Sequence, residues 1–298
     1  MFRTLRSLIV LCICACIYTC ETKVADDPGS TELDIIPYPN KVLKRGGHLT
    51  LSNNFWIIAN VSDSTATELA RYLARNLKIL TAKDALIADL FSNRKHKQSI
   101  QITLDNNLKS ESKEAYILDI SSSQIKIKAK SAGGIFYGIQ TLLQLLEDGA
   151  VNDTYVIPKL VIMDAPRFAI RGIMIKPSQL NKQIEKSLFK TMASLKLNTI
   201  FLLDEASQKK VMQEDSTKNN IHYFSGQELA ENLKLFSKHI SNLEPEEISS
   251  LSTSNTGTLG LVLDLTAAID TALLVNLPKL AKISWTTSNE NIITERIK

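Results

Sequence analysis

Two adjacent carboxylates, Asp204 and Glu205, are side chains whose type and spacing suit acid–base chemistry. They follow the apolar segment 199–203, which predicts a β-strand and places both side chains at its carboxyl end. Neighbouring carboxylates at such a position can hold and transfer a proton during a reaction. The alternative interpretation is that the pair is the solvated end of a strand.

The histidines do not form a recognisable metal site. His48, His96, His222 and His239 are isolated from one another and from any carboxylate at ligand spacing. We therefore predict structural or surface roles for them, with no metal and no other cofactor. The short basic cluster at 94–97 predicts a solvated loop.

The composition is that of a folded, nearly neutral protein. The 298 residues include 35 Lys+Arg against 31 Asp+Glu, and 44% of them are hydrophobic, which is enough to bury a sizeable core. A formal net charge of +4, with no dense block of Lys and Arg, lacks the electrostatic footprint of a nucleic-acid-binding protein. Nucleic acid is therefore excluded as a partner. Nothing in the sequence determines the oligomeric state.

The first 20 residues are typical of a signal peptide or a lipoprotein leader. Arg3 and Arg6 precede an apolar run at 8–17 that is too short to span a bilayer. All the cysteines lie in this segment, so the remainder of the chain has no disulfide and no cysteine-ligated metal. We predict an exported protein, either secreted or held at the cell envelope by a lipid attached to Cys20.

An acidic and polar linker at 21–33 leads into a first domain predicted at 34–160. In this domain apolar residues recur with the spacings of strands and of amphipathic helices. The predicted elements are strands at 49–51 and 55–59 around a polar turn, a helix capped by Ser64, a strand at 100–103, a hairpin of 116–120 with 125–128 that has one wet face, and a helix from Gly133 to Gly149. The pattern predicts an α+β domain, a sheet with helices on one face.

Strands and helices alternate in the second predicted domain, 161–298. The predicted order is a strand at 170–175, a helix at 182–196, a strand at 199–203 and a helix at 227–239, with a buried helix in the apolar run 261–277. Such alternation predicts parallel strands joined by crossover helices. A complete (β/α)₈ barrel takes about 250 residues. The second domain is therefore predicted to be α/β, a partial TIM-barrel-like unit.

Several segments resemble glycoside hydrolase family 20, the β-N-acetylhexosaminidases. The segments that resemble the family's N-terminal accessory domain are Ile-Pro-Tyr-Pro at 36–39, Glu-Ala-Tyr-Ile-Leu at 114–118 and Gly-Ile-Phe-Tyr-Gly-Ile-Gln-Thr-Leu-Leu-Gln-Leu-Leu at 134–146. Those that resemble the start of its catalytic barrel are Asp-Ala-Pro-Arg-Phe at 164–168, Arg-Gly-Ile-Met at 171–174 and Lys-Leu-Asn at 196–198. Weaker similarity is found at two further segments. Residues 223–233 resemble the helix that follows the family's second barrel strand, and residues 277–285 resemble the family's C-terminal stretch.

The resemblance implies a carbohydrate partner that carries a terminal N-acetylhexosamine, and a retaining reaction in which the sugar's own 2-acetamido oxygen attacks the anomeric carbon. In the family an Asp orients that group and the adjacent Glu protonates the leaving oxygen. This pair follows two glycines on the fourth barrel strand, whereas the present sequence contains no Gly-Gly-Asp-Glu. Asp204 and Glu205 follow the second predicted strand instead, so they do not match the family's catalytic pair.

The first predicted barrel strand also departs from the family pattern. The resemblance implies that Arg171 and Gln179 occupy substrate-binding positions, but Gln179 stands where the family has an Arg that binds the sugar hydroxyls. A Gln cannot reproduce the forked, charge-assisted contacts of an Arg. Lys176 likewise replaces a family Asp. These departures predict that catalysis is impaired or lost in this chain.

Three functions stay open at this point. The chain is a working β-N-acetylhexosaminidase, a non-catalytic relative that binds glycans or has a structural role in the cell envelope, or the remnant of a decayed gene. Exposed aromatic residues would favour glycan binding, but Trp56 and Trp285 are interpreted as core residues.

Overall fold

A computed structural model describes residues 33–51, 55–92, 96–151, 154–168, 170–175, 182–202, 222–225, 235–237 and 260–264, together with residues 277, 278, 281 and 285. The predicted leader, including Cys20, and nearly all of the linker lie outside this part of the chain. The described residues belong to one unit of contacts, Leu33–Lys298.

The first part of this unit is built on a mixed sheet of eight strands. The strands are β1 (Lys41–Leu51), β2 (Trp56–Ala59), β3 (Leu86–Asp89), β4 (Ser99–Leu104), β5 (Tyr116–Ile120), β6 (Gln124–Ala129), β7 (Ala150–Val151) and β8 (Thr154–Asp164). Their order is β1-β8-β5-β6-β4-β2-β3, with β7 paired to β8. The predicted hairpin is confirmed as the antiparallel pair β5 and β6. Strand β8 continues to Asp164, beyond the predicted domain limit at residue 160.

Strands β1 and β2 contain the strands predicted at 49–51 and 55–59, but β1 begins much earlier, at Lys41, and the two strands are not neighbours. Strand β1 pairs with β8 in antiparallel orientation, whereas β2 lies between β3 and β4 in parallel orientation. A local turn signal cannot reveal a partner that is distant in sequence, and a parallel neighbour must be reached through a crossover element. The predicted turn at 52–54 lies outside the described residues.

Two helices pack on one face of this sheet, which confirms the α+β prediction. Helix α1 spans Ser64–Thr81 and helix α2 spans Ala132–Asp148. The prediction that Ser64 caps α1 is wrong, because Asp63 accepts the N–H groups of Thr65 and Ala66 at 2.8 and 3.2 Å. A carboxylate at this position satisfies the free N–H groups and also interacts favourably with the helix dipole.

Helix α2 packs closely against the hairpin at two of its glycines, Gly134 and Gly138. A Cβ added at Gly138 would lie 2.6 Å from Cγ2 of Ile127 and 3.2 Å from Cδ2 of Tyr116. At Gly134 it would lie 2.6 Å from Cβ of Ala129. The glycine spacing of the 134–146 segment therefore determines how deeply α2 sits on the sheet.

The sequence predicts that the other face of the hairpin is exposed to solvent, but part of that face is buried. Ile117 alternates with the core residues Tyr116 and Leu118 and is itself buried. It belongs to a small apolar cluster that consists of Leu108, Ala115, Ile117, Val161, Met163 and Ala165. The segment before β5 therefore covers part of a face that local alternation assigns to solvent.

The second part of the unit is a five-stranded parallel sheet. Its strands are β9 (Ile170–Ile175), β10 (Thr199–Leu202), β11 (His222–Ser225), β12 (Leu235–Ser237) and β13 (Gly260–Asp264), in the order β11-β10-β9-β13-β12. All the pairings between them are parallel. Helix α3 (Lys182–Ser194) connects β9 to β10, as predicted. This sheet does not by itself form a TIM barrel, so the barrel stays a prediction.

Three expectations for this sheet are wrong. Part of the helix predicted at 227–239 is strand β12, and the first residues of the resemblance-based helix at 223–233 lie in β11. The apolar run 261–277 begins as strand β13 rather than as a helix. A short apolar segment without strict alternation cannot be assigned to a strand or to a helix from its sequence pattern alone. No helix in the described ranges is long and apolar enough to cross a membrane.

Candidate functional site at the junction of the two sheets

Of the site residues predicted from the sequence, only Arg171 lies within the described residues. Asp204, Glu205, Gln179 and Cys20 lie outside the described residues, so the roles predicted for them stay predictions. Arg171 is described and is fully buried at the amino end of β9. Around it lies a group of charged and aromatic side chains, here called the junction cluster, which consists of Glu114, Tyr116, Asp164, Arg171, Lys196 and Trp285.

Asp164 closes strand β8 and is completely buried. Its Oδ1 accepts hydrogen bonds from the backbone N–H of Asn40 at 3.1 Å, the side-chain Nδ2 of Asn40 at 2.7 Å and the N–H of Ala165 at 3.1 Å. Its Oδ2 accepts from the hydroxyl of Tyr116 and from Nζ of Lys196, both at 2.7 Å. Each carboxylate oxygen therefore accepts hydrogen bonds from at least two protein donors.

Lys196 supplies the cation that faces Asp164. It lies just before β10 in the left-handed backbone region, with φ 60°, and its side chain is fully buried. Its Nζ donates to Asp164 and, at 2.9 Å, to the hydroxyl of Tyr116. Burial lowers the pKa of Lys196, and the charge of Asp164 opposes that effect.

Tyr116 links this ion pair to helix α2. Its hydroxyl lies 2.6 Å from Oγ1 of Thr141. Since the Tyr116 proton is donated to Asp164, the hydroxyl of Thr141 is the donor in that contact. Burial, followed by the charge of Asp164, raises the pKa of Tyr116 well above its ordinary value.

Arg171 forms the second ion pair of the cluster. Its Nη1 lies 2.8 Å from Oε2 of Glu114. Its guanidinium also donates to the carbonyl groups of Lys196 at 2.9 Å and Phe168 at 2.7 Å, and to the hydroxyl of Tyr137 at 3.2 Å. Burial acts to lower the pKa of Arg171, but Glu114 and Tyr137 raise it above its ordinary value.

Trp285 covers both cations. The centre of its ring lies 4.7 Å from Nζ of Lys196 and 4.9 Å from Cζ of Arg171, distances at which a cation–π attraction is effective. The ring of Tyr137 meets it edge-on at 5.0 Å. Trp285 is fully buried, as the sequence predicts for a core residue.

Two side-chain amides complete the junction. Oδ1 of Asn198 accepts from the backbone N–H of Arg171 at 2.9 Å and from the hydroxyl of Thr199 at 2.8 Å. Gln144 of helix α2 donates to the carbonyl of Ile36 at 3.0 Å and to that of Ser194 at 2.8 Å. One amide therefore joins the N-terminal segment, α2 and the end of α3.

The junction cluster has a structural role, because its ion pairs hold the two sheets together. Its Asp164–Lys196 pair is fully buried, its Arg171–Glu114 pair is partly buried, and both lie at the amino ends of β9 and β10, whereas ligands of parallel α/β sheets bind at the carboxyl ends. Arg171 was predicted from the resemblance to bind substrate, and that role stays a prediction beside the contacts that the structure gives it. Within the described ranges no group of three or more His, Cys, Asp or Glu residues could hold a metal ion.

Sequence reasoning missed the pairing of Asp164 with Lys196 and of Glu114 with Arg171. All four residues lie in the segments that carry the resemblance, and of them only Arg171 was assigned a role there, as a substrate-binding residue. The signal that was present is a single charged residue directly beside a strongly apolar strand, because such a charge is buried only with a partner.

Comparison with known proteins identifies this architecture. Residues 32–165 match the model of "Glycosyl hydrolase family 20, domain 2". A beta-hexosaminidase of Vibrio furnissii is 30% identical over 173 residues, which cover 56% of this chain and 25% of that protein. Beta-hexosaminidase subunit B1 of Dictyostelium discoideum is 31% identical over 150 residues, which cover 49% and 26%. The chain spans about a quarter of the length of the curated relatives it matches.

Solved structures agree at the level of the fold. A mutant Streptomyces plicatus beta-hexosaminidase, determined in complex with the product GlcNAc, superposes with a TM-score of 0.54 at 21% identity. The superposition covers 65% of this chain and 46% of that one. Residues 32–165 of this chain are therefore similar to domain 2 of glycosyl hydrolase family 20, and that segment is called domain 2 below.

Proposed function

We propose that this chain is a β-N-acetylhexosaminidase-type protein whose carbohydrate partner carries a terminal N-acetylhexosamine and whose catalysis is impaired or lost. The observation that carries this proposal is the match of residues 32–165 to the model of glycosyl hydrolase family 20, domain 2, which a parallel sheet follows directly in this chain.

The substrate class is supported by the names of the relatives. The matched proteins of Vibrio furnissii and Dictyostelium discoideum are beta-hexosaminidases, and the Streptomyces plicatus enzyme was determined with GlcNAc as its product. Because the chain covers a minor part of each curated relative, activity on this class of sugar is an inference for the present protein.

Impairment is supported by the residues after β9. Lys176 and Gln179 stand where the resemblance implies an Asp and a sugar-binding Arg, and no Gly-Gly-Asp-Glu occurs in the chain. A positioned general acid contributes about 10²- to 10⁴-fold to a rate, so its absence alone reduces turnover by that factor.

The test is hydrolysis of a chromogenic N-acetyl-β-glucosaminide by the purified chain. We expect no release of chromophore above the buffer rate from a sample that unfolds cooperatively on heating. Glu205→Gln and the exposed-site control Glu111→Gln are assayed in parallel. Turnover that disappears in Glu205→Gln and persists in Glu111→Gln would contradict the proposal and would make Asp204 and Glu205 the working pair.

We also infer export, on the basis of the predicted leader at 1–20. Fractionation of cells that express the full chain, combined with labelling by a radioactive fatty acid, separates the two destinations. A lipid-anchored protein incorporates label that is lost in Cys20→Ser and retained in Cys16→Ser. An unlabelled protein in the medium indicates secretion, and an unlabelled protein in the cytosol would contradict export.

A further inference from the structure

The two sides of the junction carry opposite charges. Glu114, which precedes β5, and Asp164, which ends β8, come from the eight-stranded sheet of domain 2. Arg171 in β9 and Lys196 before β10 come from the parallel sheet. The ion pairs join them across the junction at 2.8 and 2.7 Å, so neither sheet neutralises its own buried charges.

Separation of the two sheets would leave these charges without partners. The side chains of Lys196, Asp164 and Arg171 are 0% exposed, and that of Glu114 is 18% exposed. A buried charge whose partner is removed is strongly destabilising, whereas replacement of both partners by apolar groups can be neutral. The two ion pairs therefore exist only while the two sheets are folded against each other.

Lys196, like Arg171, is in contact with both sides. Its ammonium group binds Asp164 and Tyr116 of domain 2, its carbonyl accepts a hydrogen bond from Arg171, and the Trp285 ring covers it. We propose that the junction cluster makes domain 2 and the parallel sheet one cooperative folding unit and that Lys196 is the residue on which this coupling depends. This inference concerns stability and does not rest on the proposed function.

The test compares Lys196→Met with Lys78→Met. Lys78 also forms an ion pair, with Asp84 at 2.8 Å, but the two side chains are 63% and 74% exposed. Both substitutions are made in the full chain. Native-state hydrogen exchange follows the amides of β5 and β8 in domain 2 and those of β9 and β10 in the parallel sheet. Urea unfolding is followed by fluorescence in a Trp56→Phe background, where Trp285 is the reporter.

In the parent protein we expect the slowest amides of both sheets to exchange through one global opening and to respond to urea equally. In Lys196→Met we expect the opening constants of β9 and β10 to rise by about 100-fold or more and to separate from those of β5 and β8. Lys78→Met changes them by less than about 5-fold. Separate global openings of the two sheets in the parent, or equal effects of the two substitutions, would overturn the proposal.

A double variant covers the case in which Lys196→Met does not fold. Lys196→Met with Asp164→Leu removes both charges, so we expect it to recover cooperative unfolding and part of the lost stability. A double variant that also fails to fold, or that is no more stable than Lys196→Met, would show that the charges are not coupled.

Discussion

Tyr116 shows how a single residue of the junction cluster responds to pH. Its raised pKa keeps the hydroxyl protonated in the folded protein at a pH where the unfolded chain ionises it. Such a group contributes stability that is complete below the ordinary tyrosine pKa of about 10 and is lost as the pH rises through the folded-state pKa.

We therefore expect the free energy of unfolding to fall more steeply above about pH 10 in the parent protein than in Tyr116→Phe. Urea unfolding between pH 8 and 11 measures this difference. Tyr38→Phe, at an exposed position, serves as the control. Parallel pH profiles for the parent and Tyr116→Phe would show that the hydroxyl does not control alkaline stability.

Arg171 illustrates why the shape of a charged group matters as well as its sign. Its guanidinium reaches Glu114, two backbone carbonyl groups and the Tyr137 hydroxyl, and a lysine cannot reproduce that fork. We expect Arg171→Lys to lower the free energy of unfolding by about 2–4 kcal/mol, since buried acceptors lose their donors.

Arg45→Lys is the matched substitution for this measurement. Arg45 pairs with Asp119 at 2.6 Å, but its side chain is 36% exposed, so we expect a loss below about 1 kcal/mol. Chemical denaturation of both variants gives the comparison. Equal losses would mean that Arg171 acts only as a positive charge.

At the scale of the element, the position of helix α2 depends on the missing side chain at Gly138. Alanine would improve helix propensity by about 1 kcal/mol, but its Cβ would lie 2.6 Å from Cγ2 of Ile127. We expect Gly138→Ala to lower the midpoint of thermal unfolding, with a net cost of about 1–3 kcal/mol, because the helix must move away from the hairpin.

Ile127→Ala removes the atom that Gly138→Ala would meet. The double variant is therefore expected to be more stable than the sum of the two single effects predicts. Calorimetry of the four proteins tests this coupling. Strict additivity would indicate that α2 does not rest on Ile127.

Elements whose signals are local could be predicted from the sequence. The β5–β6 hairpin, helix α2 and the β9–α3–β10 unit each carry their own periodicity and turn residues. The partner of β1, and the strand character of β12 and β13, depend on pairing with segments that are distant in sequence. The Asp164–Lys196 pair could not be predicted for the same reason, because it joins residues of two different sheets.

At the scale of the whole molecule, the charge balance determines which partners are attracted over long distances. The formal net charge of +4 is spread over 298 residues without a basic block. We expect no binding to a labelled DNA oligonucleotide below about 100 μM at physiological salt, the weak end of non-specific affinity. Fluorescence anisotropy measures it, and a micromolar dissociation constant would show a basic surface that the composition conceals.

The pairing of β1 with β8 has a consequence for synthesis on the ribosome. Lys41, at the start of β1, pairs with Met163, so the emerging polypeptide cannot complete its first sheet until nearly all of domain 2 has been made. A further 32 residues must then be synthesised before Lys196 is available to pair with Asp164. A nascent chain that stalls within this interval contains the carboxylate of Asp164 without its Lys196 partner in an incomplete core. We expect this species to be the one that needs protection by a chaperone.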